Sequence, residues 1–267
     1  MNDKPSPQST RPSFSWKLWL YTNYDCNLRC SYCVAESSPS APPRAISLQT
    51  VRQLVDEAVA QGFSCVYFTG GEPLLLEDIF SMLSYSSQRL PTVLLTNAML
   101  LDENRMERLR SIANDQLIIQ VSLDGGQADH HDAYRGPGTW ARTVAGIRTL
   151  QANGLRLRLS TTETPANSAH LEALCAFHLS LGVPEEVHFI RPLARRGFST
   201  QGLEVSMDTL SPEITANVDG LYWHPLATDE DLLVTAKTFP LAEAVQKVID
   251  RLQPNENRQS QPLKTFT

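Results

Sequence analysis

Six short apolar runs, each followed by an amphipathic stretch, limit the fold of this chain more than any other feature. They fall at residues 16–21, 65–69, 92–96, 117–123, 155–161 and 186–190. Strand-length runs alternating with helical periodicity predict parallel strands joined by crossover helices. Ser47 is a predicted N-cap for a helix that buries Val51, Leu54, Val55 and Ala58. Further helices are predicted near 77–88, from Asp102, after Thr139 (as cap) through Val144, Ile147 and Leu150, and over 168–181. Six such steps fit an α/β fold that is an incomplete (β/α)6, TIM-like barrel, short of the eight steps of a closed one. After Gly197 the pattern changes. Residues 198–220 are polar and turn-rich, 221–225 and 232–235 suit a hairpin, and 240–252 read as a helix with one apolar face.

Within this frame three of the five cysteines crowd into eight residues, Cys26, Cys30 and Cys33. Thiolates at such gaps can wrap one corner of a 4Fe–4S cube, which normally takes four cysteine ligands. With three, one iron stays open to bind a small molecule. A zinc site wants a second ligand pair at close spacing, yet the next histidines are His130 and His131. A disulfide framework belongs to short secreted chains, not to 267 residues with 42% hydrophobic content.

The triad, with Tyr32 before its last cysteine, resembles the radical S-adenosylmethionine (radical SAM) superfamily. Gly70-Gly71-Glu72-Pro73 ends an apolar run and looks like that family's G-G-E-P motif. Ser122-Leu123-Asp124-Gly125, followed by His131-Asp132 and Arg135-Gly136, is similar to the branch of anaerobic sulfatase-maturing and peptide-modifying enzymes. The resemblance covers roughly residues 16–198 and implies an incomplete barrel. Members of that branch often add a SPASM or twitch domain with auxiliary clusters, but no cysteine follows Cys175 in this sequence. The quoted motifs all lie at C-terminal ends of predicted strands, where α/β folds bind ligands.

The resemblance implies that Cys26, Cys30 and Cys33 ligate three irons and that the fourth chelates S-adenosylmethionine. It assigns Gly70, Gly71, Glu72 and Pro73 to the methionine amino group, Glu72 as a charged acceptor. Tyr32 packs beside the cluster or adenine, or is a hydrophobic plug. Arg135 pairs with the methionine carboxylate, or with Asp132 at the surface. Ser122 and Asp124, two apart on a strand, face ribose or substrate, or form a strand-end turn. Thr96 and Asn97 face adenosine or substrate; Thr161 and Asn167 are weaker candidates. No catalytic acid or base is assigned, and the scattered histidines are not read as metal ligands.

The predicted organisation is a disordered tail at 1–15, a core barrel at 16–198, an extension without cluster ligands at 199–252, and a flexible tail at 253–267. The extension is a remnant of the auxiliary domain or a cap over the barrel mouth. The net charge of −6 and the lack of a basic stripe argue against nucleic acid. Arg191, Arg195 and Arg196 are read as a solvated loop, with substrate contact as the alternative. No apolar run approaches a membrane span, and the first residues lack a signal core, so the expected compartment is the cytoplasm. The expected activity is reductive cleavage of S-adenosylmethionine to a 5′-deoxyadenosyl radical that abstracts hydrogen from a peptide or protein residue. The alternatives are a small metabolite as substrate, or a cluster-binding partner protein without radical chemistry. Expected partners are an electron donor such as a flavodoxin or ferredoxin, and a peptide substrate or adaptor.

Overall fold

A computed structural model describes residues 15–207, 210–226 and 230–252. The tail readings for 1–14 and 253–267 lie outside the described residues. The sheet runs β6-β5-β4-β3-β2-β1-β7-β8-β9 and is not closed. The six parallel strands of the β–α alternation are β1 (Lys17–Tyr21), β2 (Cys65–Thr69), β3 (Thr92–Thr96), β4 (Leu117–Ser122), β5 (Leu157–Glu163) and β6 (His188–Pro192), and a seventh follows in the extension. The incomplete α/β barrel expected from the alternation is the architecture found.

Helices α1 (Leu48–Ala60), α2 (Ile79–Ser87) and α3 (Glu103–Ile112) pack on one side of the sheet's first half. Ser47 caps α1 by accepting from the Thr50 amide at 3.0 Å, and Val51, Leu54, Val55 and Ala58 are buried as the spacing requires. Strand alternation divides the side chains. Leu18, Leu20, Val66 and Phe68 join the main core, while Trp19, Tyr67 and Val93 form a separate cluster on the inner face.

Several boundaries differ from expectation. The segment read as a loop before Thr139 contains α4 (Ala128–Arg135), followed directly by α5 (Thr139–Ala152). Thr139 is the first residue of α5 rather than its cap. The Asp132 carboxylate does the capping, accepting from the amides of Gly138 (2.7 Å) and Trp140 (2.8 Å). β5 and β6 lie about two residues further on than the apolar runs suggest; a 3-10 turn at Glu185–Val187 delays β6. α6 (Leu171–Ser180) lies between them.

The turn-rich stretch hides β7 (Ile214–Asn217), which pairs parallel to β1 with Leu18 opposite Ile214. β8 (Gly220–Tyr222) and β9 (Leu233–Thr235) form the expected hairpin, and α7 (Leu241–Leu252) buries Leu241, Ala244, Val248 and Leu252. The extension thus continues the sheet past β1. Among the described residues, no helix is long and apolar enough to cross a membrane.

Candidate functional site

The cysteine loop follows β1 and is gripped by four later parts of the chain. The first is the end of β2. A Cβ on Gly71 would stand 2.0 Å from the Asp25 carbonyl oxygen, so only glycine lets this turn lie against the backbone leading into the loop. The Gly71 amide donates to the Asn23 carbonyl (2.8 Å) and the Glu72 amide to that of Asp25 (3.0 Å). Glu72 is buried, and its carboxylate accepts from Thr96 Oγ1 (2.8 Å) and the amides of Leu74 (3.1 Å) and Asn97 (2.9 Å). Burial raises its pKa above the carboxylate norm, and these donors only partly oppose that. Glu72 reaches the cavity while bracing β2 to β3. Asn97 Nδ2 donates to Asn27 Oδ1 at 2.8 Å and ties β3 to the loop.

The second grip is Asp124. β4 ends at Ser122, so Ser122 lines the cavity whereas Asp124 is fully buried and does not. This corrects the expectation that the two share one cavity-facing side. Asp124 Oδ2 accepts from Arg135 Nε (2.6 Å) and the Tyr32 hydroxyl (2.5 Å), and Oδ1 from the Thr162 amide (2.9 Å). Arg135 therefore pairs with Asp124 rather than Asp132, and still lines the cavity. Burial alone would raise the Asp124 carboxyl; the Arg135 guanidinium, aided by His131 and Tyr32, outweighs it and leaves the pKa below the usual range. His131 Nδ1 accepts the Asp124 amide at 3.1 Å, and burial pushes this imidazole down to about 4, so it is neutral.

The third grip is α4, whose Tyr134 carbonyl accepts the Ser31 amide at 2.8 Å. The fourth follows β6. The Phe198 amide donates to the Cys33 carbonyl (3.1 Å), and the Arg29 guanidinium lies 4.5 Å from the Phe198 ring centre. Arg196 forms a two-point pair with Asp231 (2.9 and 2.8 Å). The late arginines are thus not a solvated loop: only Arg195 is exposed, Arg196 is engaged, and Arg191 lines the cavity.

That cavity is open to solvent and holds about 1130 Å³ of empty space when its open mouth is counted. Cys26, Cys30, Tyr32, Cys33, Gly70, Gly71, Glu72, Thr96, Asn97, Ser122 and Arg135 all line it. Pro73, which opens a 3-10 turn, does not. Thr161 and Asn167 serve the fold: Thr161 donates to the Leu123 carbonyl (2.7 Å), and Asn167 to those of Asp124 and Thr162 (both 2.8 Å). Arg191 lines it too, as the substrate-contact alternative allowed; sequence reasoning missed Trp19, Tyr21, Ser160 and Thr162 on the strands, and Pro225 and Leu226 in the extension. Strand alternation could have exposed the first group; nothing local marks the last two.

The donor set fits an iron–sulfur cube. Burial pushes the Cys26 thiol up to about 12 and Cys30 to about 11, so thiolates here need a bound cation. The Leu28 amide donates to Cys26 Sγ at 3.3 Å, and the adjacent Asn27 Nδ2 is a buried donor with no partner. Among the described residues, no three Cys, His, Asp or Glu converge as a single-ion site would require. Three thiols on one cavity fall one short of the four ligands of a structural zinc site and match a cube with one iron left open.

The Radical SAM superfamily family model matches residues 20–165. The chain is 33% identical over 173 residues to an AdoMet-dependent heme synthase of Methanosarcina barkeri, covering 64% of this chain and 49% of that protein. It is 28% identical over 227 residues to the mycofactocin maturase MftC of Mycolicibacterium smegmatis, covering 84% and 54%. The chain therefore spans about half the length of the curated relatives it matches. In fold it is similar to Streptococcus suis SuiB bound to S-adenosylmethionine (TM-score 0.61, 19% identity, 73% and 44% covered). It is also similar to anSMEcpe with bound AdoMet (TM-score 0.66, 14% identity, 88% and 82% covered). The matched residues contain the cysteine triad, the Gly70–Pro73 turn and the Asp124–Arg135 pair, and more than half of the sequence: the chain belongs to the radical SAM superfamily.

Proposed function

We propose that this chain holds one 4Fe–4S cluster through Cys26, Cys30 and Cys33, and that it is a radical enzyme acting on a peptide or protein residue. The observation that carries the reading is that three buried or half-buried thiols line one cavity with Gly70, Gly71 and Glu72. When bound, the cluster and S-adenosylmethionine supply a 5′-deoxyadenosyl radical for hydrogen abstraction. The chain's own residues position and shield. Tyr32 and Arg135, locked by Asp124, form one wall beside Cys30. Thr96 and Asn97 form another, and the Gly70–Gly71 backbone a third. Pro225 and Leu226 of the extension line the cavity as well.

A peptide substrate draws support from SuiB, solved bound to precursor peptide SuiA, and from anSMEcpe, solved with AdoMet and a peptide. An external reductant of the flavodoxin or ferredoxin class supplies the electron, and the cytoplasm is the compartment.

The test is anaerobic reconstitution followed by iron and sulfide analysis and reduction in the presence of S-adenosylmethionine. About four of each per chain and formation of 5′-deoxyadenosine are expected. Cys26→Ala, Cys30→Ala and Cys33→Ala should each lose the cluster, while Cys65→Ala and Cys175→Ala keep it. Retention by Cys30→Ala, or reduction without deoxyadenosine, would falsify the reading.

A further inference from the structure

Two side-chain amides beside the first cysteine form a directed chain. The Met99 amide donates to Asn97 Oδ1 at 3.0 Å, and a backbone N–H can only donate, so this atom must be the Asn97 oxygen. Asn97 Nδ2 then donates to Asn27 at 2.8 Å, which fixes the Asn27 atom there as Oδ1. The orientation of both amides thus follows from one backbone group. It leaves Asn27 Nδ2 at the far end of the chain, buried and with no acceptor. A buried donor without an acceptor is costly, and linked hydrogen bonds polarise one another, so the last N–H group is a better donor than an isolated amide.

This end of the chain lies against Cys26. The Cys26 Sγ is 3.9 Å from Asn27 Oδ1, and it accepts the Leu28 amide at 3.3 Å. Cys26 and Asn97 both line the cavity, and the Asn27 amide contacts each of them. A protonated Cys26 is the donor toward the Asn27 oxygen. A Cys26 bound to iron has no proton and is an acceptor only, and the donor on the same amide is Nδ2.

We infer that Asn27 Nδ2 donates to the anionic sulfur at the Cys26 corner of the cluster, and that this bond raises the cluster's reduction potential. The inference rests on the proposed cluster and adds a residue that sets how readily it takes up an electron. A reduced cluster carries one more negative charge than an oxidised one, so a donor to its sulfur stabilises the reduced state more.

The test is a potentiometric titration, followed by EPR spectroscopy, of anaerobically reconstituted protein without S-adenosylmethionine. Asn27→Asp keeps an oxygen for Asn97 and removes the donor. Asn27→Leu removes both groups at similar volume and adds no charge. Each variant should have a lower midpoint than wild type. At the wild-type midpoint the ratio of reduced to oxidised cluster should fall about three- to tenfold, roughly 30–60 mV for one electron. A ratio in Asn27→Leu within about twofold of wild type overturns the inference, even if Asn27→Asp shifts, because the added charge then accounts for that shift. A second measurement does not need a variant to hold the cluster. In wild type carrying heavy nitrogen in its asparagine side chains, pulsed EPR of the reduced cluster should show a coupling to that nitrogen, and its absence overturns the inference. Iron and sulfide are counted before either measurement. A wild type that builds no four-iron cluster refutes the proposed function and this inference with it, whereas a normal cluster with an unmoved midpoint refutes the role of Asn27 alone.

Discussion

Asp124 organises more of the site than any residue that faces the cavity. One buried carboxylate joins the cysteine loop through Tyr32, α4 through Arg135 and β5 through the Thr162 amide. Its pair with Arg135 is fully to nine-tenths buried on both sides, so solvent screening does not weaken it. Asp124→Asn leaves a buried guanidinium facing a neutral amide. The expected loss is about 3–5 kcal/mol of folding stability, read by urea denaturation of the cluster-free protein. A loss under about 1 kcal/mol would mean that Arg135 has found another acceptor. The cavity-lining residues among the family motifs were readable in the sequence because strand ends gather on one side of such a sheet. The partner of Arg135 was not. Asp132 is nearer in sequence, but the helical turn of α4 directs it to cap α5 instead.

At the scale of elements, β2 and β3 match their apolar runs to the residue, because buried parallel strands read as continuous hydrophobic stretches. α4 and β7 did not stand out. α4 is eight mostly polar residues, and β7 is four residues whose strand state comes from pairing with β1. The segment after β6 was also silent, yet it seats the third cysteine. Gly197 has φ +58°, and a Cβ there would lie 2.2 Å from the Cys33 carbonyl oxygen and 2.8 Å from Val34 backbone atoms. Gly197→Ala should therefore displace Cys33 and leave well under half of the wild-type iron after anaerobic reconstitution. Gly62→Ala is the control: φ is +72° with nothing within 4 Å, so it meets only backbone strain of about 1 kcal/mol and should keep full iron. Equal iron in both variants would show that the seat yields without consequence.

Across the whole molecule, barrel and extension share one core. Leu210, Ile214, Leu221, Trp223, Leu241 and Val248 belong to the same packed cluster as Leu18 and Leu20. Trp223 is 3% exposed, so Trp223→Ala should cost about 3–5 kcal/mol and lower the stability of the entire chain in one transition, seen alike by circular dichroism and fluorescence. A separate early transition for the extension would instead mark an independent cap. The same long-range construction governs how the protein comes into being. Ser31 waits for Tyr134, 103 residues further along, and Cys33 for Phe198, later still. At a synthesis rate of about 5–20 residues per second, the thiols precede α4 by on the order of 5–20 s. During that interval the loop lacks two of the backbone contacts that seat it. The seat of the three thiols is a property of the finished chain, so a cluster held as proposed is loaded after synthesis rather than during it.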